Sequence, residues 1–383
     1  MKKIEHNYLP EQYEVTNELP INHNYLPQQF ADSEKVFDEI RQLVLRGDFT
    51  LGTAVNEFED EFKKITKTEY AIGVGSGTDA IFLSLKALGI KEGDEVITTP
   101  YTFYATIGAI VTAGATPKFV DIGLDYNIDP RRIENAITSK TKAIVPVHWS
   151  GLICDMSSIR AIASKHNLSI VEDACHAINA EREKYPPGRY GETACYSMHP
   201  LKNLNVWGDG GVITTNNKEL HDRLVLLRNH GLRNRDICYE FAYNSRLDTL
   251  QAIVAKHYLK KIHHITDMRI RNASLFDEKL SVIKQLTIPE RSENIKQVFH
   301  IYVIRAEERD QLQKYLLDNG IDAKIHYPLP MHLQPAAKGF GYSEGDFPIA
   351  EKVCKEVISL PVHEFISEEQ VQFSISKIKQ FYS

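Results

Sequence analysis

Apolar and polar positions along the first half of the chain follow two alternating periods. Short apolar runs rich in β-branched residues predict strands over residues 70–74, 95–99, 117–120, 142–148 and 168–172. Between them, apolar residues three and four positions apart predict helices over residues 78–89, 103–114, 131–136 and 156–166. This alternation indicates βαβ units, and therefore an α/β fold built on a mostly parallel sheet.

The second half of the chain predicts a further, smaller domain. A strand at 212–215 and a helix at 218–229 continue the first pattern, and a long helical run follows at 246–279. The remainder predicts an α+β unit with strands at 297–305 and 322–327, a helix at 309–319 and two more helices. Because 383 residues exceed one ordinary core, we expect a large domain over 33–260 and a small one over 261–383.

Residues 1–32 precede both predicted domains and contain a near-repeat. Residues 6–13 read HNYLPEQY, and residues 23–30 read HNYLPQQF. Two copies are too few for a solenoid. We expect an extended arm laid over the surface, with a lid or a dimer arm as the alternative.

Composition and charge narrow the classes of function. A formal net charge of −6 argues against nucleic-acid binding. No apolar run approaches the roughly 20 residues that cross a bilayer, and the N-terminus lacks the apolar segment of a signal peptide. The five cysteines are scattered without a C-x-x-C pair. They fit reduced thiols of a cytoplasmic protein better than disulfides or a metal site.

Four loops follow strands at one edge of the predicted sheet. They contain residues 75–78, residues 100–103, His148 and Asp173. Ligands of parallel sheets bind beyond the carboxyl ends of the strands. We therefore expect the functional site at this edge.

The first of these loops, Gly-Ser-Gly-Thr at 75–78, joins a strand to a helix. Small residues at a helix N-terminus expose backbone N–H groups that bind phosphate, although a tight turn without a ligand has the same letters. With Ala80, the loop also matches a dinucleotide fingerprint, which needs an acid at the end of the next strand. That strand ends in Thr-Thr-Pro at 98–100. A nicotinamide-dependent sugar oxidoreductase is therefore the weaker alternative.

The stretch 168–211 carries the candidate covalent chemistry. A buried strand ends at Asp173 and His176, and Ser197 and Lys202 follow before a glycine-rich turn. Asp173 could keep a pyridinium nitrogen protonated, and Lys202 could form a Schiff base with a cofactor aldehyde. Taken singly, the acid could be a cap, the histidine structural and the lysine a solvated charge.

Two further groups extend the candidate site. Phe103 could be an aromatic plate at the end of a strand, or it could pack in the core. Arg228, His230, Arg233 and Arg235 form a basic cluster that is either a solvated face or a cleft for an anionic substrate. The second interpretation rests on the bidentate pairing of arginine with carboxylate and phosphate.

The chain resembles the sugar aminotransferases of the DegT/DnrJ/StrS family over roughly residues 30–380. The resemblance rests on ordered motifs: GSGTDA, YTFYAT, VHWSG, VEDACHA, CYSMHPLKN with GDGG, NHG, YNSRLDTLQA, KIHYPLPMHLQP and ISLPVHEFISEEQ. It implies a three-layer α/β/α fold of the aspartate-aminotransferase type (fold type I). It also implies pyridoxal 5′-phosphate (PLP) as cofactor and a homodimer with shared active sites.

The resemblance further implies roles for the matching residues. Lys202 would hold PLP covalently and later shuttle protons, and Asp173 would pair with the pyridine nitrogen. Phe103 would stack on the ring, and His176 would lie near its hydroxyl group. The remaining contacts would come from Gly77, Thr78 and Ser197 to the phosphate, from Asn244 to the phosphate of the neighbouring subunit, and from His326 and Tyr327 to the sugar.

The implied reaction moves an amino group from L-glutamate through pyridoxamine phosphate to a ketosugar, giving an aminosugar for cell-surface polysaccharide or lipopolysaccharide. Trp149 and Ser245 depart from the family pattern near the expected pocket. With the basic cluster of His230, Arg233 and Arg235, the chain resembles the branch that aminates an acidic eight-carbon ketosugar to 8-amino-Kdo. A nucleotide-linked 3- or 4-keto-6-deoxysugar is the alternative substrate, and a non-catalytic binding paralogue is an alternative function.

Overall fold

A seven-stranded sheet lies at the centre of the computed structural model, which describes residues 21–383. In chain order its strands are β1 (Tyr70–Val74), β2 (Glu95–Thr98), β3 (Thr116–Phe119), β4 (Thr141–Ile144), β5 (Ser169–Asp173), β7 (Thr193–Ser197) and β8 (Gly211–Thr215). The short strand β6 (Glu181–Arg182) does not belong to this sheet. The spatial order is β1-β8-β7-β5-β4-β2-β3. Every neighbouring pair is parallel except the two that β8 makes, with β7 and with β1. The predicted mostly parallel α/β sheet is therefore confirmed.

Helices cover both faces of this sheet and give three layers. They are α1 (Leu26–Gln29), α2 (Glu34–Arg46), α3 (Thr53–Thr66), α4 (Gly77–Ala87), α5 (Tyr104–Thr112), α6 (Pro130–Ile133), α7 (Met156–His166), α8 (Lys218–Leu227), α9 (Thr249–Leu259) and α10 (Ile262–Leu280). One apolar core draws on α2, α3, α7 and α9, and the other on α4, α5 and α8. Within the described residues, no helix combines the length and the apolar character that a membrane crossing requires.

The strands are apolar on both sides because each face of the sheet packs against helices. In β1, Ala71 belongs to one core and Ile72 to the other, and Ile170 and Val171 of β5 divide in the same way. Strands buried on both faces read as continuous apolar runs, so the sequence pattern predicts them. Strand β7 mixes a threonine, a cysteine and a serine into its five residues, and the pattern does not predict it.

The C-terminal part of the chain forms a smaller α+β unit around a three-stranded antiparallel sheet. Its elements are β9 (Leu286–Thr287), β10 (Ile295–Lys296), β11 (Tyr302–Ala306), α11 (Arg309–Asp318), α12 (Pro348–Glu356), β12 (Val357–Leu360) and α13 (Glu368–Phe381). The sheet has the order β12-β11-β9, while β10 pairs with β6. Its core contains Ile304, Leu316 and Ile358, together with Phe276 from α10.

Three predictions for this part of the chain need correction. The helical run predicted at 246–279 is two helices, because α9 ends and α10 begins on either side of residues 260–261. The predicted strand at 297–305 starts only at Tyr302, since Phe299 has a positive φ of 44°. Residues 322–327 are not a strand, and Lys324 there makes only an isolated bridge to Ser359. The domain boundary expected between residues 260 and 261 stays a prediction.

The second copy of the N-terminal repeat lies along the surface and inserts two side chains into the molecule. Tyr25 and Gln29 are 3% and 5% exposed, and helix α1 lies within residues 23–30. In this copy the expected surface arm is anchored by two buried side chains, and residues 26–29 form a helical turn instead of an extended chain. The first copy, residues 6–13, lies outside the described residues.

An apolar cluster joins the large sheet to the smaller unit beside the carboxyl edge of the sheet. Tyr101 and Trp149 contribute from the large part, and Ile301, Met331 and Phe347 contribute from the small part. Tyr101 and Trp149 are both almost fully buried. This cluster fixes one wall of a cleft at the edge where the loops after β1, β2, β4 and β5 meet.

The buried imidazole of His363 should make the stability of the fold depend on pH. Its Nε2 donates to the carbonyl of Asn22 (3.0 Å) and its Nδ1 accepts from the N–H of Phe365 (3.3 Å), which specifies the neutral ring. Burial, with help from the Arg269 charge, lowers the pKa of His363 from 6.5 to about 3. The unfolded chain therefore binds one more proton between these pH values, and stability that is present above pH 6.5 is lost as the pH falls.

The variant His363→Gln removes this proton uptake and retains an amide donor. Between pH 7.5 and 5 it should lose about 2 kcal/mol less of the free energy of unfolding than the native chain. Denaturant unfolding at both pH values measures the difference. His263→Gln, at an exposed histidine, is the matched control. The same pH dependence in both variants would contradict the assignment.

Candidate active site

The start of α4 touches the ends of two strands at the carboxyl edge of the sheet. A Cβ atom on Gly77 would lie 2.7 Å from Cβ of Ser197 and 2.9 Å from Sγ of Cys175. Such distances are too short for any side chain, so only glycine allows this approach. Of the four loops expected to converge, those that follow β1 and β5 meet here at the last residue of β7. The ring of His148 is instead fully buried and bonds to Glu172 (2.9 Å).

The carboxylate of Asp173 is buried at the end of β5 and is held by two donors. The hydroxyl of Thr106 donates to Oδ2 (2.8 Å), and the N–H of Cys175 donates to Oδ1 (3.2 Å). Thr102 shares a hydroxyl contact of 2.8 Å with Thr106 and so orients it. Since a carboxylate accepts about four hydrogen bonds, Asp173 keeps free acceptor positions for a ligand.

Lys202 lies partly buried in the loop between β7 and β8. The backbone N–H of Lys202 donates to the carbonyl of His199 (2.8 Å), which closes a tight turn over residues 199–202. Burial lowers the pKa of the Lys202 ammonium below its usual value, although Cys175 and Asp173 act in the opposite direction. An amine with a lowered pKa carries the free electron pair that attack on a carbonyl group requires.

A wall of aromatic and imidazole rings faces the Lys202 loop. The ring of His176 lies 4.2 Å from that of His300 and 5.3 Å from that of Trp149, measured between centroids. Burial, followed by the charge of Lys202, holds the pKa of His176 well below its usual range. Among the described residues, Nδ1 of His176 has no hydrogen-bond partner although it is buried. A neutral ring with an unused polar atom is therefore ready to bond to a ligand.

His326 and Tyr327 continue this wall from the smaller unit. Nδ1 of His326 lies 2.9 Å from Oγ of Ser359, and the carbonyl of His326 accepts from the hydroxyl of Tyr101 (2.5 Å). Burial is the largest cause that lowers the pKa of His326 to about 3. Tyr327 lies 5.4 Å from Trp149 between ring centroids, so the structure brings the predicted sugar-pocket residues together.

Phe103 stands at the N-terminal end of α5 with 46% of its surface exposed. Its ring centroid lies 5.2 Å from that of Tyr104 and 5.9 Å from that of Tyr327. The core alternative is therefore wrong, and the exposed ring is free to cover a planar ligand.

Side-chain hydrogen bonds shape the N-terminal turn of α4. Oγ of Ser76 accepts from the N–H of Asp79 (3.0 Å). Oγ of Ser245 accepts from the N–H of Gly75 (3.2 Å) and donates to the Asp79 carboxylate (2.9 Å). Ser245 thus supports this loop instead of lining the sugar pocket. Thr78 is exposed in the same turn, where the first N–H groups of a helix have no partner within the helix.

The basic cluster divides into a buried and an exposed part. Arg228 is buried, and its Nη1 donates to Glu59 (2.5 Å) and to the carbonyl of Gly73 (2.9 Å). Its assignment to an anion cleft is therefore wrong. The exposed residues of the following loop are His230, Arg233, Arg235 and Asn244. In the described chain, Arg233 bonds to the hydroxyl of Tyr239 and not to the residues around Lys202.

Sequence reasoning missed two residues that shape this cleft. Thr106 lies three positions after Phe103 on the first turns of α5, and that helical spacing is a usable signal. His300 comes from a distant part of the chain, and no local pattern marks it.

A separate cavity of about 900 Å³ lies between the large and small parts of the chain. Its lining includes Arg291 and Arg305, which are already paired with Asp277 (2.9 Å) and Glu356 (3.2 Å), but not Lys202. The edge of the sheet, with its unused polar atoms, is therefore the better candidate site.

Comparison with known proteins gives a family and several close relatives. The DegT/DnrJ/EryC1/StrS aminotransferase family matches residues 31–379. The chain is 42% identical to the pleiotropic regulatory protein of Geobacillus stearothermophilus, over 91% of the chain and 94% of the relative. It is 39% identical to dTDP-3-amino-3,6-dideoxy-alpha-D-galactopyranose transaminase of Aneurinibacillus thermoaerophilus, over 90% and 95%. It is 36% identical to dTDP-3-amino-3,4,6-trideoxy-alpha-D-glucose transaminase of Streptomyces venezuelae, over 92% and 95%.

Solved structures agree with this result. DesV of S. venezuelae, in complex with a ketimine intermediate, superposes with a TM-score of 0.92 and 35% identity, over 95% of this chain and 99% of that one. NtdA of Bacillus subtilis, with bound cofactor PMP, gives 0.87 and 30%, over 96% and 86%. The nicotinamide-dependent and non-catalytic alternatives are therefore wrong. The chain belongs to the DegT/DnrJ/EryC1/StrS aminotransferase family and is a PLP-dependent sugar aminotransferase.

Proposed function

We propose that this enzyme moves the amino group of L-glutamate to the 3-keto group of a nucleotide-linked sugar, with Lys202 and Asp173 as catalytic residues. One observation carries the proposal: a lysine whose pKa is lowered by burial shares a cleft with the buried carboxylate of Asp173. When bound, PLP supplies the electron sink for the breaking of the C–H bond of the amino donor. The residues of the chain bind, orient and move protons.

Asp173 holds a proton on the ring nitrogen of the cofactor. Thr106 and the N–H of Cys175 occupy one acceptor position on each of its oxygens, which fixes the plane of the carboxylate. The remaining lone pairs accept the hydrogen bond from the protonated nitrogen. A buried carboxylate without that partner is costly, so the site favours a cationic ring.

Lys202 acts as the nucleophile that binds the cofactor and later as the base that moves a proton at the substrate carbon. Burial keeps a larger fraction of its amine neutral, as both tasks require. The pKa of His176 is held low by burial in the same cleft, and its unpartnered Nδ1 would be available to bond to the ring hydroxyl of the cofactor. The exposed face of Phe103 covers the ring.

Gly77, Thr78 and Ser197 bind the cofactor phosphate. Gly77 brings the N-terminal turn of α4 against Ser197, and the N–H groups of that turn point their positive end toward an anion. The hydroxyls of Thr78 and Ser197 add donors from two different elements. Two segments that are distant in the sequence then hold one phosphate.

The names of two relatives support the proposed sugar. Both are transaminases of dTDP-linked 3-amino sugars, and each is matched over about nine-tenths of this chain. His326 and Tyr327 offer stacking surfaces for a sugar ring and a base. Trp149, which was expected to bind the sugar, is only 1% exposed and supports Tyr327 from behind. An acidic eight-carbon ketosugar, giving 8-amino-Kdo, is the second candidate, and the exposed arginines Arg233 and Arg235 favour it.

The active enzyme is a homodimer in which the loop after α8 completes the partner's site. Within this loop Phe241 is fully exposed, and Ile237 and Tyr239 are about half exposed. Large apolar residues rarely stay in contact with water unless another protein surface covers them. In such a dimer Asn244, Arg233 and Arg235 of one subunit reach the cofactor phosphate and the sugar of the other.

The variant Lys202→Ala tests the catalytic assignment. The native protein should show the visible absorption band of lysine-linked PLP, and L-glutamate should convert it to the pyridoxamine form. Lys202→Ala should lack this band and lose at least about a thousandfold in turnover, because nucleophile and base are both gone. Lys338→Ala, at an exposed lysine, is the control. Full turnover in Lys202→Ala would contradict the mechanism.

The double variant Arg233→Ala/Arg235→Ala tests the substrate. The enzyme should aminate a dTDP-linked 3-ketosugar, and the double variant should raise KM for it about tenfold or more, since charge-assisted hydrogen bonds are lost. KM for L-glutamate should change less than about twofold, because in this assignment the two arginines make their charge-assisted hydrogen bonds to the sugar substrate and not to the amino donor. The pair Arg131→Ala/Arg132→Ala, at exposed positions elsewhere, is the control. Equal effects on both KM values would remove the basic cluster from the sugar site, and turnover of the acidic ketosugar alone would favour the second candidate.

Subunit mixing tests the shared site. Lys202→Ala and Asn244→Ala should each be nearly inactive alone. A refolded equimolar mixture should regain about a quarter of native activity, because half of the dimers are mixed and each of those holds one complete site. Sedimentation checks that both variants are dimers. A mixture no more active than the sum of its parts would show that each site is built within one subunit.

A further inference from the structure

Residues 21–30 connect the smaller unit to the loop that carries Lys202. At the small-unit end, Ile21 exchanges backbone hydrogen bonds with Gly320 (2.8 Å) and Asp322 (2.9 Å). The N–H of His23 donates to the carboxylate of Asp322 (3.2 Å), and its ring lies 5.5 Å from that of His326. This end of the segment therefore touches the wall of the cleft.

Tyr25 extends the contact toward His300, another histidine of that wall. Its ring stacks on His363 at 4.8 Å, and its hydroxyl accepts from Nη2 of Arg269 (2.8 Å). Nη1 of the same guanidinium donates to the carbonyls of Phe299 (3.1 Å) and His300 (3.2 Å). Arg269 thus links the segment to the backbone that presents His300 to the cleft.

The other end of the segment reaches the Lys202 loop through Gln29. Oε1 of Gln29 accepts from Nδ2 of Asn205 (2.8 Å), and the same Nδ2 donates to the carbonyl of Pro200 (2.5 Å). Pro200 and Asn205 lie on either side of Lys202 in the chain, and Asn205 is fully buried. The ring of Phe30 packs against Trp207 just beyond.

The loop from 198 to 210 has no strand or helix to hold it in place. Its shape depends on local hydrogen bonds and on the two hydrogens of the Asn205 amide, one bonded to Pro200 on the opposite side of the loop and one to Gln29 outside it. Removal of the Gln29 acceptor would leave one of these hydrogens buried without a partner, which destabilises the arrangement. A displacement of about 1 Å at a reacting group costs up to roughly a hundredfold in rate.

We propose that residues 21–30 form a strap that fixes the Lys202 loop against the histidine wall, with Gln29 as a positioning residue for the reaction. The inference rests on the proposed role of Lys202 and adds a residue that does not touch the cofactor or the substrate. It also gives the second HNYLP copy a task in the active site.

The variants Gln29→Met and Gln28→Met form a matched test on the full chain. Gln28 is the exposed neighbour of Gln29, so both variants change composition equally. Gln29→Met keeps the length of the side chain and removes the amide, which loses the acceptor together with an Nε2 that has no hydrogen-bond partner among the described residues. It should lower kcat roughly tenfold with little change in KM for L-glutamate. It should also shift the pH at which the absorption band of the PLP-loaded enzyme titrates, because the amine of Lys202 moves relative to Asp173.

Gln29→Asn is the second variant, since it withdraws the acceptor by one methylene and keeps a neutral amide. It should shift the titration in the same direction. In an Asn205→Ala background, Gln29→Met should add almost nothing, because both changes break the same bond.

Three results would overturn the strap. The first is that Gln29→Met and Gln28→Met have the same kcat and the same titration. The second is that Gln29→Met loses activity only in step with a lower melting temperature, while its titration is unchanged. The third is that the effects of Gln29→Met and Asn205→Ala add. Failure of the proposed function would look different, since Lys202→Ala would then keep its turnover while the Gln29 variants could still alter stability.

Discussion

The burial of one carboxylate organises this active site. Asp173 ends a strand in the middle of the sheet, where an ionised group without partners would cost several kcal/mol. The structure offsets this cost with the hydroxyl of Thr106, the N–H of Cys175 and the nearby charge of Lys202. These partners come from three different elements of the fold, so the packing of α5 and of the loop before β8 both depend on where the carboxylate sits.

The same dry environment explains why the surrounding histidines are neutral. Burial holds the pKa of His176 and of His300 well below the usual range, and the charge of Lys202 acts in the same direction. For Lys202 itself the effect of burial exceeds the attraction of Asp173, since the net direction of its pKa shift is downward. Neutral imidazoles leave the electrostatic field of the cleft to Asp173, to Lys202 and to the bound cofactor.

The sequence predicted those parts of the site that follow strands. Asp173 follows a predicted strand and Gly77 precedes a predicted helix at the same edge of the sheet, so periodicity and glycine placement were enough to bring these two together. Ser197 ends a strand that the pattern does not predict. Hydrogen bonds between side chains that are far apart in the sequence could not be predicted in this way. Arg228 reads as part of a solvated or anion-binding cluster, and only its bond to Glu59, 169 positions away, shows that it is structural. Gln29 and Asn205 are 176 positions apart, and nothing local to either residue predicts the pair.

The hydrogen bonds of the sheet do not hold Lys202 in place. The paired strands end at Ser197 and Gly211, one further backbone bond joins Met198 to Gly210 (2.8 Å), and the reacting amine lies in the loop beyond that bond. A loop of that length orders itself only if side chains supply what the ladder does not, and the entropy of ordering it opposes each bond. The amide of Asn205 joins the two sides of the loop, and a segment from the far N-terminus completes its hydrogen bonding. That segment is also anchored beside His326 and Arg269. The amine of Lys202 and the histidine wall therefore share one support, so the distance between the amine and the wall changes little when the two units fluctuate.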